Sequence, residues 1–126
     1  MTREAVATAG APAAVGPYSQ AIKANGFIFT AGQLGLDPAS GKMVDGDVTD
    51  QARRALLNLK AVLEAAGSGM DKVVKVTVFL KDMNDFKPVN EVYKQAFPAP
   101  FPARSAFQVC ALPLGGLVEI EAVATL

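Results

Sequence analysis

From Val74 to Lys81 the chain alternates without a break, with Val74, Val76, Val78 and Leu80 in one register and Lys75, Thr77, Phe79 and Lys81 in the other. Successive strand side chains point to opposite faces, so this segment is a strand with one wholly apolar face. Such a face requires a second layer to cover it, and the flanking segments supply one. Ala52, Leu56, Leu59, Leu63 and Ala66 recur at spacings of three and four, which predicts a helix from about Val48 to Ala66. Asp47 or Thr49 is placed to cap its start and Gly67 to stop it. A second helix is predicted from about Phe86 to Phe97, with Asp85 as its cap and Pro88 tolerated in its first turn.

The remaining segments read as strands and turns. Glu4 to Thr8 fits a short edge strand, and the small, Pro-containing stretch Ala9 to Val15 a loop. Gln20–Ala24 and Phe27–Ala31 flank Asn25-Gly26, a dipeptide suited to the two-residue hairpin turn. Asp37 to Gly41 is a turn cluster leading to another around Asp45-Gly46. The Pro-rich run Phe97 to Pro102 is extended, and two last strands, Ala103–Leu112 and Leu117–Thr125, are joined by Pro113-Leu114-Gly115-Gly116. The order is βββαβαββ, a two-layer α+β domain with two helices on one face of a six-stranded sheet. With 126 residues and no linker or repeat, one domain spans residues 1–126. The uncovered face carries Phe79 and other apolar side chains, so self-association is expected.

Composition then narrows the function classes. Twelve basic and twelve acidic residues cancel, which leaves no electrostatic footprint for nucleic acid or an anionic membrane. The chain has no histidine, which removes Ser/His and Cys/His catalysis and nearly every zinc site, so no metal is expected. Its glycine-containing stretches match neither the dinucleotide fingerprint nor the P-loop, so no cofactor is expected either. The single Cys110 has no internal disulfide partner, which favours a reducing compartment, and it reads as a packed thiol on the strand face shared with Arg104, Ala106 and Gln108. No run approaches the roughly 20 apolar residues of a membrane span, and the N-terminus lacks the pattern of a secretory signal. Cytoplasmic residence is expected, or a plastid or mitochondrial matrix where a transit peptide has been removed.

A few residues are chemically conspicuous. Arg104 sits inside a predicted strand, where a guanidinium offers either a rigid fork for a carboxylate or an ion pair, for instance with Glu119. Glu119 and Glu121 share one face of the final strand, expected to lie beside the Arg104 strand; they read as a solvated face or as charge partner and proton shuttle. Tyr18 follows a tight turn and can pack at an interface or donate to a ligand. Gly32 ends the third strand, either as ordinary turn chemistry or where a ligand approaches the backbone. Asn90, inside the second helix, reads first as satisfying buried backbone groups.

Gly16-Pro17-Tyr18-Ser19-Gln20-Ala21, Thr30-Ala31-Gly32-Gln33, Gln51 with its helix, Val73-Val74-Lys75, Asp85-Phe86 with Val89-Asn90, Phe101-Pro102-Ala103-Arg104-Ser105 and Val118-Glu119-Ile120-Glu121-Ala122 occur in that order. Together they resemble the reactive intermediate deaminase family in its RidA (YjgF-like) branch, and Leu112-Pro113-Leu114 resembles its plant-type members. The resemblance implies a chorismate-mutase-like homotrimer with clefts between subunits. It also implies hydrolysis of 2-imino and 2-enamino acids, released by pyridoxal-phosphate serine and threonine dehydratases, to 2-keto acids and ammonia. By position, Arg104 would hold the substrate carboxylate and Glu119 would handle water and protons, with Tyr18 beside them. Asn90, Gly32 and Ala106 would line the site and Glu121 would support Glu119. Ala106 stands where several bacterial relatives carry cysteine, so thiol-based inactivation does not carry over. The alternative is a chaperone-like or regulatory binding protein of the same fold.

Overall fold

The computed structural model describes residues 2–126. Its elements are β1 (Glu4–Val6), β2 (Ala21–Ala24), β3 (Phe27–Thr30), α1 (Val48–Ala65), β4 (Val73–Leu80), α2 (Phe86–Ala96), β5 (Ala103–Gln108) and β6 (Val118–Thr125), in the expected order. One mixed sheet runs β1-β2-β3-β6-β4-β5. The β4–β5 pair is parallel, with α2 as its crossover, and the other pairs are antiparallel.

The predicted helical stripe Ala52, Leu56, Leu59, Leu63 and Ala66 is buried throughout, against Ile28, Val76, Val78, Leu80, Val118 and Ile120 of the sheet. Each fully buried Leu, Ile or Val contributes about 1.5–3 kcal/mol to holding the two layers together. Asp47 caps α1: its carboxylate accepts from the N–H groups of Thr49 and Asp50, while Asp50 accepts from the Asp47 N–H. Thr49 is not the cap; its hydroxyl donates to Asp47 Oδ1 at 2.6 Å. The Asn25-Gly26 hairpin forms as expected, with both residues at positive φ, 52° and 81°.

Four expectations are corrected. On β4 the inward residue is Val73 and Val74 is exposed, because the register with β6 shifts between Val73 and Lys75; the bulge inserts one residue and reverses the alternation below it. The fifth strand stops at Gln108 rather than Leu112, since its partner β4 ends at Leu80, whose carbonyl accepts from Val109 N–H at 2.8 Å. Cys110 therefore lies beyond the ladder and is exposed, not a packed thiol. Asp85 makes no side-chain cap on α2: it lies in the helical region (φ −83°, ψ −2°), and Asp82 instead caps the preceding turn, accepting from Asn84 N–H at 2.9 Å.

The sheet face opposite the helices is bare, as expected. Phe27, Phe29 and Phe107 are 40%, 47% and 46% exposed, and Phe79 packs edge-on against Phe107 with ring centroids 5.3 Å apart. Among the described residues no helix is long and apolar enough to cross a membrane.

Candidate active site

Strand pairing decides which candidate residues can meet. In-register partners share a sheet face. Arg104 pairs with Val76, a core residue, so it belongs to the helix face. Glu119 pairs with Phe79 and Glu121 with Thr77, so both acids belong to the open face. The final strand is not beside the Arg104 strand, contrary to expectation, because β4 lies between them. The ion pair of Arg104 with Glu119 is accordingly absent. Arg104 and the two acids therefore lie on opposite faces of the sheet.

The first candidate region is a cleft of about 770 Å³ lined by Tyr18, Gly32, Gln33, Leu114 and Glu119 among others. Its geometry follows from a gap in the β3–β6 ladder. Phe29 is the last regular partner of β6, opposite Val123. Thr30 Oγ1 then takes the Ala122 N–H at 3.0 Å, and pairing resumes where Gln33 and Ile120 exchange hydrogen bonds of 2.8 and 3.0 Å. Three residues of one chain segment, 30–32, face two of the other, and the bulge lays Gly32 against Glu119. A β-carbon at Gly32 would sit 2.7 Å from Glu119 Cδ, so only glycine lets the carboxyl rest there. Burial, and secondarily the charge of Glu121, push the Glu119 carboxyl above its usual value of 4.5.

The loop walls of this cleft are tied to the core by polar side chains. Asn58, fully buried on α1, donates to the carbonyls of Leu34 (3.1 Å) and Leu36 (2.9 Å). Gln51 accepts from Leu117 N–H at 2.9 Å. Gly35 lets the loop press against α1, where a β-carbon would come within 2.7 Å of the Gln51 backbone. Buried Gln20 binds the backbone of Thr8, Ala11 and Pro12, fixing the loop that leads to Tyr18.

The second candidate region is a cleft of about 410 Å³ lined by Asn90, Glu91, Tyr93, Lys94, Phe101, Pro102 and Arg104. Arg104 Nη1 donates to Asn90 Oδ1 at 2.7 Å. Its guanidinium carbon stands 4.8 Å from the Tyr93 ring centroid and 5.3 Å from that of Phe86. Asn90 thus orients the arginine rather than satisfying buried backbone groups. Phe86 and Tyr93 escaped the reading of isolated residues, although their spacing from Asn90, four and three, puts all three on one helix face. The Tyr93 hydroxyl is buried without a hydrogen-bond partner among the described residues, and burial raises its pKa against the opposing pull of Arg104. Ala106 shares the Arg104 face but is half-buried against the core and lines neither cleft.

Two surfaces with complementary chemistry result: a forked cation on an aromatic shelf, and a half-buried carboxyl beside a tyrosine and exposed backbone. The guanidinium lines one cleft and the carboxyl the other.

Residues 8–126 match the family model described as Endoribonuclease L-PSP. A Bos taurus protein named 2-iminobutanoate/2-iminopropanoate deaminase is 56% identical over 124 residues, covering 98% of this chain and 90% of that protein. Reactive Intermediate Deaminase A, chloroplastic, of Arabidopsis thaliana is 54% identical over 124 residues, 98% of this chain and 66% of that protein. Among solved structures, E. coli TdcF with bound serine superposes with a TM-score of 0.92 at 43% identity, covering 98% of both chains.

Proposed function

Since the chain belongs to the Endoribonuclease L-PSP family, the reactive intermediate deaminase (YjgF-like) family that its motifs resemble, we propose that it hydrolyses 2-iminobutanoate and 2-iminopropanoate to the 2-keto acids and ammonia. One observation carries this reading at the level of residues. An arginine held by Asn90 and a carboxyl of raised pKa lie on opposite faces of the sheet; this supports the reading that two apposed copies of the chain would join them in one cleft.

The assembly is a homotrimer in which the open face of one subunit, with Glu119, Tyr18 and Gly32, meets the Arg104–Asn90 surface of the next. The exposed Phe27, Phe29 and Phe107 favour burial of that open face. In the cleft Arg104 binds the substrate carboxylate through its remaining donors. Asn90 and the rings of Phe86 and Tyr93 hold the guanidinium plane. An enamine first takes a proton at its terminal carbon to become the imine. Glu119 then removes a proton from the attacking water as its oxygen bonds to C2, and passes that proton to the nitrogen. That gives a carbinolamine; a second transfer through Glu119 carries its hydroxyl proton to the nitrogen as the C–N bond breaks, so that ammonia leaves and the carbonyl forms. A carboxyl of raised pKa suits this two-way transfer, because the rise makes the carboxylate a better proton acceptor than an ordinary glutamate while it still returns the proton. Tyr18 donates to the substrate or the water, the backbone at Gly32 shapes the pocket, and Glu121 sustains the raised pKa. An imine is already electrophilic, so positioning and proton management are enough and no cofactor enters.

Substrate comes from serine and threonine dehydratases, whose products are these short imines. The family's ribonuclease description draws no support from the composition of this chain, where twelve basic and twelve acidic residues cancel to no net positive charge. A chaperone-like role draws none from a guanidinium and a carboxyl set apart in two prepared clefts. The test is to add the chain to a threonine dehydratase turning over threonine. Release of 2-oxobutanoate should accelerate beyond spontaneous hydrolysis. Equal release with and without the chain would overturn the proposal.

A further inference from the structure

Val15 and Leu114, 90% and 71% exposed, are the two most exposed large apolar side chains among the described residues. Both line the Glu119 cleft, from two different loops. Neither loop is loose. Gln20 binds three carbonyls of the segment before Val15, and the turn bearing Leu114 is closed by a 3.0 Å hydrogen bond from Gly116 N–H to the Pro113 carbonyl. Leu114 also has left-handed backbone, φ 57° and ψ 26°, and is followed by Gly115 at φ 68°. A leucine is disfavoured in that region, which glycine or asparagine enters readily. Backbone conformation and solvent exposure therefore both act against leucine here, and a conformational outlier of this kind is a mark of function.

The rest of the wall points the same way. Pro12, Ala13, Leu34 and Pro113 add hydrocarbon, and no cationic side chain lines the cleft. In the single chain, before the Arg104 surface of a second copy closes over it, the cleft has more room than a short imino acid needs. Seven non-hydrogen atoms, each given about 30 Å³, the share of a water, fill roughly 210 Å³, against a cleft of about 770 Å³.

We infer that Val15 and Leu114 determine specificity at this site: they receive the hydrocarbon side chain of the 2-imino acid and favour long or branched aliphatic substrates over the methyl of 2-iminopropanoate. The inference rests on the deaminase reading and extends it to a substrate class. The carboxylate end is held by Arg104 and the reacting carbon faces Glu119, so the only part of the substrate left for an apolar wall is its side chain.

The experiment compares kcat/KM for two imines generated by an amino-acid oxidase, one from alanine (methyl side chain) and one from leucine (isobutyl). The wild type is set beside Leu114→Gly and Leu114→Asn, both suited to the left-handed backbone. The wild type should prefer the isobutyl imine. Either substitution should lower kcat/KM for that imine about tenfold, the scale of a lost methylene-sized contact. The methyl imine should change less than about twofold. Equal changes for both substrates, or none, would overturn the inference while leaving the deaminase reading intact. So would a change of molecular mass in light scattering, which would give Leu114 to a subunit interface. If the wild type accelerates neither imine, the deaminase reading falls and takes this inference with it.

Discussion

Gly32→Ala adds one methyl group where the Glu119 carboxyl lies. The backbone at Gly32 is outside the left-handed region, so alanine carries no conformational penalty of its own. The new β-carbon would stand 2.7 Å from Glu119 Cδ and 2.9 Å from Cγ. Carbon atoms in ordinary contact are about 3.5–4.0 Å apart, so the carboxyl must retreat by about 1 Å. It sits at the end of a flexible side chain on a paired strand, so the side chain yields before the sheet does. Overpacking of this kind costs about 1–3 kcal/mol at most, and the chain stays folded. Catalysis suffers more: a displacement of about 1 Å costs about a hundredfold in rate, or about 2.7 kcal/mol of transition-state stabilisation. The assay is kcat/KM for 2-iminobutanoate, alongside a urea unfolding midpoint to verify the fold. Glu119→Asp shortens the acid by one methylene and vacates the contested space. Gly32→Ala should therefore cost far less in that background than in the wild type. A folded Gly32→Ala variant within about threefold of wild-type activity would refute the placement of Glu119, as would strict additivity in the double-mutant cycle.

Arg104→Lys keeps the charge but loses the fork, and charge-assisted hydrogen bonds contribute about 1.5–3 kcal/mol. A loss of one to two powers of ten in kcat/KM is expected, and unchanged turnover would remove the carboxylate assignment. If Glu119 acts ionised, activity rises as pH increases through its raised pKa. Glu121→Gln removes one of the two causes of that rise, so the acid limb of the kcat/KM profile should move to lower pH yet stay above 4.5, because burial persists. An unmoved or upward limb would contradict the coupling. Phe29→Asp with Phe107→Asp puts charge on the bare sheet face, and light scattering should show the assembly dissociating with activity lost; a monomeric wild type would sink the shared-cleft reading.

Much of the fold was legible because it is written in short-range periodicity. The stripe from Ala52 to Ala66 and the hairpin at Asn25-Gly26 depend on neighbours within a few residues, and both formed where expected. The misreadings have one origin. Extended alternation points Val74 to the core and Cys110 to the Arg104 face, but a bulge breaks the first and the end of a partner strand breaks the second. Asp85 was a suitable cap by type, yet a turn already capped by Asp82 leads into the helix. The aromatic shelf under Arg104 was within reach of helical arithmetic on Phe86, Asn90 and Tyr93, once α2 was known to lie over β5.

The sequence by itself determined the order and kind of the elements, and it singled out Arg104 and Glu119 as the residues proposed to carry the chemistry. The tertiary structure alone decided where those residues stand. Strand β6 inserts between β3 and β4, which leaves β4 between the two residues, and the register turns Glu119 to the face opposite Arg104, so a pair expected side by side is separated. The physical reason is that side-chain alternation is a property of a single strand. The choice of neighbour and register comes from pairing between segments far apart in the chain, and no local pattern encodes it.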